Sequence, residues 1–469
     1  MEQHITGTTL QEWGVPQGPA VGLGLKAMEK LLEHNESTAE ARFRKALENP
    51  QDYLEHEVFA EFTQELTKPP KVLHSLHEEA LPFQVYGEEG IEDGAKNQMI
   101  TAMRLPIARA GALMPDAHQG YGLPIGGVLA TENSVIPYGV GVDIGCRMCL
   151  SIFPMPTEDL DEHNASLRGM IMRNSKFGRE VFKEPMDHEI LSSHLFDEIP
   201  KLKELQPKAA KQIGSSGGGN HFVELGEVTI QDEENDWGLP VGKYLGLLSH
   251  SGSRGMGATI ANHYTKMAMQ ECPLPSEARH LAWLDLDSEL GQEYWLAMNL
   301  AGDYASACHH QIHQRVARSL KVQPAAMVEN HHNFAWKEKN HLGEEWIVHR
   351  KGATPAGEGV LGIIPGSMTA PGFVVKGKGV EASISSAAHG AGRRMSRTKA
   401  KKNITMEQWQ KQLKEHQVTL ISAGLDEAPD AYKDIREVME AQSSLVQVLA
   451  EFQPRIVRMC GDKRFREVD

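Results

Sequence analysis

The sequence predicts a mixed α/β fold in one large domain, preceded by a helical extension. Three observations predict it. Residues 19–68 repeat apolar side chains at three- and four-residue spacing, the period of a helix packed on one face. Beyond KPPK (68–71) the texture changes to short apolar runs broken by Gly and Pro, as expected of strands. Longer helical patterns then alternate with these runs through the rest of the chain.

In chain order, GLGLKAMEKLLEHN (22–35) and ESTAEARFRKALENP (36–50) read as helices, with Ser37 placed to cap the second. Candidate strands follow at PFQVY (82–86), GALMP (111–115), GGVLAT (126–131), RMCLSIF (147–153), FVELGEVTI (222–230), YLGLLSH (244–250), EWIVHR (345–350) and GFVVKG (372–377). Helices are expected between them at 158–176, 199–212, 256–270, 276–320, 381–402, 406–416 and 433–448. No internal repeat or low-complexity tract interrupts the pattern, and no linker long enough to mark a boundary follows residue 80. The expected division is a helical extension over 1–70 and a single domain over 71–469.

The chain has 469 residues, 40% hydrophobic and 24% charged, enough to bury a large core without disulfides or structural metals. No apolar run approaches the ~20 residues that span a bilayer, and MEQHITGTTLQEWG has neither a basic nor an apolar leader segment. A cytoplasmic protein without membrane partners is expected. With 48 Lys+Arg against 63 Asp+Glu, the net charge of −15 disfavours a broad nonspecific grip on nucleic acid. Any such partner must meet a local basic site. Five scattered cysteines make no disulfide framework and suit a reducing compartment.

The chemistry concentrates in short segments, most of them containing glycine, that carry His, Cys, Asp, Asn or Arg: MPDAHQGYGLPIGG (114–127), GVGVDIGCRM (139–148), GSSGGGNHFVE (214–224), SHSGSRG (249–255), ENHHN (329–333), VHRKGA (348–353), IIPGSM (363–368) and HGAGRRMSR (389–397). Glycine costs conformational entropy, so such clusters suit places where backbone must approach a ligand. Asp143, Cys146, His221, His250 and His332 supply a carboxylate, a thiol and three imidazoles, a set suited to zinc or manganese rather than magnesium or calcium. Each histidine alone reads as an ordinary structural residue; five such residues in Gly-rich turns read as a site. Cys149 falls on an alternating strand pattern and is expected in the core, and HHQIH (309–313) lacks the Glu of H-E-x-x-H and is expected on a solvated helix face.

No phosphate loop or dinucleotide fingerprint is present. GSSGG (214–218) has the spacing of a nucleophile elbow but runs into a strand-like segment, which that turn does not do. HGAGRRMSR instead offers an imidazole that can attack phosphorus, followed by Arg393, Arg394 and Arg397, which can hold phosphate oxygens.

Together with DEAPDAYKD (426–434), these segments resemble the RtcB family of RNA-splicing ligases over about residues 80–463. The resemblance implies a pair of stacked mixed β-sheets flanked by helices. It implies two manganese ions held by Asp143, Cys146, His221, His250 and His332, with Cys146 bridging, and GTP as the nucleotide. His389 matches the histidine that is guanylylated. Asn220, Glu224, Ser367, Tyr432 and the arginines match residues around the nucleotide, in motifs that also contain Pro365, Met368, Gly390, Ala391 and Gly392. Arg254, Arg393, Arg397 and Asp116 fall in motifs of the reaction centre. The implied reaction opens an RNA 2′,3′-cyclic phosphate to a 3′-phosphate, caps that end with GMP, and joins it to a 5′-hydroxyl end, in tRNA splicing or RNA repair.

The chain departs from the family pattern at Gly372, in the helix containing YASACHHQ, and at CGDKRFREVD, where Lys463 is the expected counterpart of a base-binding lysine. The extension over 1–70 is expected to bind a partner or an RNA body, and an activating protein partner stays open. The alternative from another class is a metal-dependent cyclic phosphoesterase that uses the same ligands without His389 and does not ligate.

Overall fold

The computed structural model describes residues 5–16, 18–33, 38–67, 73–233 and 235–461. Ser37 and Lys463 therefore lie outside the described residues. The chain divides into two compact units, Met1–Val72 and Leu73–Asp469. Among the described residues no helix is long and apolar enough to cross a membrane.

The first unit contains helices Gly7–Glu12, Pro19–Glu33, Ala39–Glu48 and Ala60–Thr67. Their apolar faces close on Leu10, Met28, Leu31, Phe43, Phe59 and Phe62, with the rings of Phe43 and Phe62 stacked at 4.8 Å. Thr6 and Thr9 cap the first helix reciprocally, satisfying backbone donors that a helix start leaves open.

The second unit is built on two large mixed sheets. A five-stranded sheet runs in the order Gln84–Val85, Ala108–His118, Ile125–Thr131, Glu345–Lys351, Asn333–Lys339. The other runs Leu361–Ile364, Gly372–Gly377, Val446–Met459, Phe222–Ile230, Gly242–Ser251, Arg147–Phe153, Ala326–His331, with Thr419–Ser422 added in parallel to Val446–Met459. Its two end strands are tied together: the Asn330 side chain accepts from Ile363 N–H at 2.9 Å and donates to Ile363 C=O at 3.3 Å. Val128 and Val348 of one sheet and Phe373 and Val375 of the other share one buried cluster, so the sheets pack face to face.

Strand alternation decides what each face meets. Met148, Leu150 and Ile152 enter the apolar cluster with Leu248, Val374 and Phe452, while Phe153 faces Ile312 and Val316 of helix Glu289–Leu320. That 32-residue helix starts where the Ser288 hydroxyl accepts the Gly291 N–H at 3.0 Å.

All eight expected strands form. Three helical expectations are corrected. The 276–320 pattern becomes helical only from Glu289, after a 3-10 turn and a short strand at Leu284–Asp285. Over 381–402 the chain makes a 3-10 turn, strand Ser386–Ala388 and then helix Arg397–Asn403, because Ser386–Ala388 pairs with Ala353–Pro355. Over 433–448 only Ile435–Ala441 is helical, since Val446 opens a 14-residue strand paired on both sides. Long-range pairing overrides local period in all three cases, the strand Leu284–Asp285 pairing with Ser134–Val135.

Candidate active site

The five expected ligand residues converge because neighbouring strands of the larger sheet deliver them at one end. In the strand register, His250 lies opposite Phe222 on one side and Met148 on the other, while Arg147 lies opposite His331. His221 immediately precedes the first of these strands, Cys146 precedes the third, and His332 follows the fourth. Asp143 and Cys146 share a turn that Gly145 permits at φ 69°, a backbone region that costs glycine little.

The atoms are closely set. Cys146 Sγ lies 3.4 Å from His221 Nε2 and 3.1 Å from His250 Nε2. His250 Nε2 is 3.2 Å from His332 Nε2, and Asp143 Oδ2 is 2.9 Å from His221 Nε2. Such separations match edges of a coordination polyhedron whose metal–ligand bonds are roughly 2.0–2.3 Å. The Asn220 carbonyl accepts from His250 Nδ1 at 3.2 Å, which leaves Nε2 of that ring as the lone-pair nitrogen. Burial, and then the neighbouring His221, holds His250 well below the usual imidazole value; burial, and then the neighbouring imidazoles of His389 and His250, do the same to His332. Both rings are thus neutral, the form that binds metal. Burial alone would raise the Asp143 carboxyl, but the His221 hydrogen bond and charge keep it below its ordinary value. Gly252 completes the pocket, because a Cβ there would collide with both carboxylate oxygens of Asp143. The donor set and its spacing fit a borderline transition ion.

His389 stands beside this cluster, its ring 4.9 Å from that of His332. It follows strand Ser386–Ala388, and its Nδ1 donates to Asp116 Oδ2 at 2.6 Å. Asp116 is fully buried behind His389 rather than on the cavity wall. With Nδ1 engaged, Nε2 is the nitrogen left with a lone pair.

One cavity of about 1100 Å³ joins the two groups. Its wall includes the five ligand residues, Asn220, Glu224, Arg254, Pro365, Ser367, Met368, Gly372, His389, Gly390, Ala391, Gly392, Arg393, Arg397 and Tyr432. Ala391 N–H donates to the Pro365 carbonyl at 3.0 Å, holding IIPGSM against HGAGRR. Burial pushes the Glu224 carboxyl well above its ordinary value, so it can donate as well as accept.

The arginines are more engaged than the sequence suggests. Arg254, at φ 57°, opens helix Arg254–Glu271 and donates to Ser215 Oγ at 3.1 Å and the Gly178 carbonyl at 2.8 Å. Arg393 reaches the Asp426 carbonyl at 2.8 Å and lies over the Tyr432 ring at 5.2 Å. Arg397 pairs with Asp426 at 3.2 Å and with Glu427, which also accepts from the Tyr432 hydroxyl. Buried Glu427 organises this side of the cavity and is not singled out by the sequence; the available signal is its place beside Asp426 in DEAPDAYKD, five residues before Tyr432. Lys351, from VHRKGA, was also missed: it lines the cavity and donates to the Tyr121 carbonyl at 2.6 Å.

His309 and His313 correct the sequence reading. Both are buried against the larger sheet rather than solvated, because helix Glu289–Leu320 is covered on that face. Cys149 is buried, as expected.

The class is that of α+β proteins with a mixed thiol, imidazole and carboxylate site set beside an oriented histidine. Within it, the chain belongs to the RtcB family: the family described as tRNA-splicing ligase RtcB matches residues 98–459. The chain is similar to the RNA-splicing ligase RtcB of Escherichia coli (strain K12), 35% identical over 389 residues, covering 76% of this chain and 92% of that protein. It is also similar to the tRNA-splicing ligases RtcB of Methanococcus maripaludis, 30% identical over 438 residues (77% and 90% covered), and Nanoarchaeum equitans, 29% identical over 449 residues (80% and 94% covered).

Proposed function

We propose that this chain is a GTP-dependent RNA ligase that joins a 2′,3′-cyclic phosphate or 3′-phosphate RNA end to a 5′-hydroxyl end through a guanylyl group carried on His389. The observation that carries the reading is the hydrogen bond from His389 Nδ1 to Asp116, beside a cluster suited to a transition ion. Family membership supports RNA as the substrate class.

Asp116 keeps the His389 proton on Nδ1, so Nε2 presents its lone pair to the α-phosphorus of GTP. The N–P bond forms as the bond to pyrophosphate breaks, and the buried carboxylate offsets the positive charge that develops on the ring. Manganese ions held by Asp143, Cys146, His221, His250 and His332 would supply Lewis acidity and neutralise phosphate charge. The cavity wall at Glu224, Ser367 and Tyr432 binds the base and sugar, with Glu224 offering both a donor and an acceptor. The guanylyl group then passes to the RNA 3′-phosphate, regenerating the imidazole, and attack by the 5′-hydroxyl expels GMP.

The test is label transfer from α-labelled GTP to the purified chain with manganese, beside ATP and beside His389→Ala. Acid-labile label from GTP that is absent in the variant is expected. Label retained by His389→Ala, or none in the metal-loaded wild type, would overturn the reading.

A further inference from the structure

We propose that Cys149, His309 and His313 form a second metal site, taking one divalent ion of the zinc class and distinct from the cluster at the cavity. The fold places these residues together from two directions. Cys149 lies between Ser249 and Glu329 in the strand register, and strand alternation turns it away from the Met148–Leu150–Ile152 face, toward helix Glu289–Leu320. His309 and His313, four residues apart, share one face of that helix. One ligand atom from each of the three residues lies within 4.8 Å of the others, and all three side chains are buried.

The hydrogen bonding inside this cluster is incomplete. Ser249 Oγ lies 2.6 Å from His309 Nδ1 and 2.8 Å from His313 Nε2, while Ser151 Oγ lies 2.7 Å from His313 Nδ1. The Ser249 hydroxyl has one proton and serves two imidazoles, donating to one ring and accepting from the other. His309 Nε2 makes no hydrogen bond of ordinary geometry although the ring is fully buried beside the Ser251 backbone. A buried polar atom in that position is accounted for by a water or by an ion.

The donor set points to the class of ion. One sulfur and two imidazole nitrogens suit zinc and its neighbours, with a fourth position left to a water. Burial, and then the Glu329 charge, pushes the Cys149 thiol well above its ordinary value, so an arriving ion displaces a proton from sulfur. Arg147 does not block the site by charge alone, since its guanidinium is held by Glu329 at 3.2 Å. A cleft of about 730 Å³ reaches one member of the group, being lined by His313 together with His188, His310 and Gln314, while Cys149 and His309 lie fully buried behind it. Ser249 and His250 are adjacent on one strand and point to opposite faces, so an ion here would pin the long helix to the back of the strands that carry the cavity ligands.

The experiment uses the full chain carrying Cys146→Ala, which removes the cavity thiolate. Cobalt(II) is titrated in as an optical probe, and zinc content is counted by mass spectrometry after zinc loading. The expected result is a near-ultraviolet thiolate-to-cobalt band that saturates at about one equivalent and disappears when Cys149→Ser is added. His309→Gln in the same background, folded by circular dichroism, is expected to lower zinc affinity at least tenfold while leaving Cys149 in place. No thiolate band in folded Cys146→Ala, or a band that survives Cys149→Ser, would overturn the site. The readout is metal content and absorbance, so the proposal stands or fails independently of ligation.

Discussion

Asp116 holds His389 twice: one carboxylate oxygen accepts its backbone N–H at 3.1 Å and its ring Nδ1–H at 2.6 Å. The two hydrogen bonds fix both where the imidazole starts and which nitrogen keeps its lone pair. Asp116 is fully buried and reaches the ring from the strand Ala108–His118 of the smaller sheet, while the imidazoles of His221, His250 and His332 come from the larger one. The histidine is therefore aimed by one sheet at a cluster built by the other.

Replacing Asp116 by Asn should keep the backbone contact and release the tautomer. Single-turnover transfer of label from GTP is expected to slow by ~10²–10⁴-fold, with nucleotide affinity changed far less. An unchanged transfer rate would remove the orienting role.

Gly252→Ala places a methyl group against both Asp143 oxygens. Metal affinity should fall by ~10–100-fold, as when groups that orient a ligand are disturbed. Calorimetric titration checks this, with circular dichroism showing that the variant folds.

His349 makes folding stability depend on pH. Its Nε2 accepts the Ile136 N–H at 2.9 Å, its Nδ1 donates to the Leu129 carbonyl at 3.2 Å, and burial lowers it from 6.5 to about 4. The unfolded chain takes up a proton near pH 6.5 while the folded chain resists until about 4. The stabilisation is thus complete above 6.5 and is lost as pH falls from 6.5 toward 4. Denaturant midpoints measured across that window should fall, and His349→Gln should flatten the slope.

In the first unit, Phe43 is fully buried between Phe59 and Phe62. Phe43→Ala should destabilise that unit by ~3–5 kcal/mol. Hydrogen exchange is expected to accelerate in helices Pro19–Glu33 and Ala60–Thr67, with the strands of the second unit unaffected.

Much of the scaffold was legible in the chain. RMCLSIF and FVELGEVTI declare strands through β-branched and aromatic residues, and the helical period over 256–270 matches helix Arg254–Glu271. Strand Val446–Met459 is not among the expected strands, and the helical pattern at 433–448 overlaps its first three residues, because its stability comes from partners distant in sequence. HHQIH lacks the Glu of H-E-x-x-H and so suggests a solvated face, but a motif comparison carries no information about what covers a helix, and His309 and His313 are buried.

The residue types of the site are legible in the chain, since short polar segments, most of them containing glycine, that hold Asp143, Cys146, His221, His250, His332 and His389 are poorly suited to packing a core. Which atoms face one another is a matter of the folded chain: the hydrogen bond between Asp116 and His389, the Glu427 carboxylate between Arg397 and Tyr432, and the burial of His309 and His313 against Cys149. Each of these joins segments that strand register and sheet packing bring together, and local chain chemistry carries no record of such distant pairings.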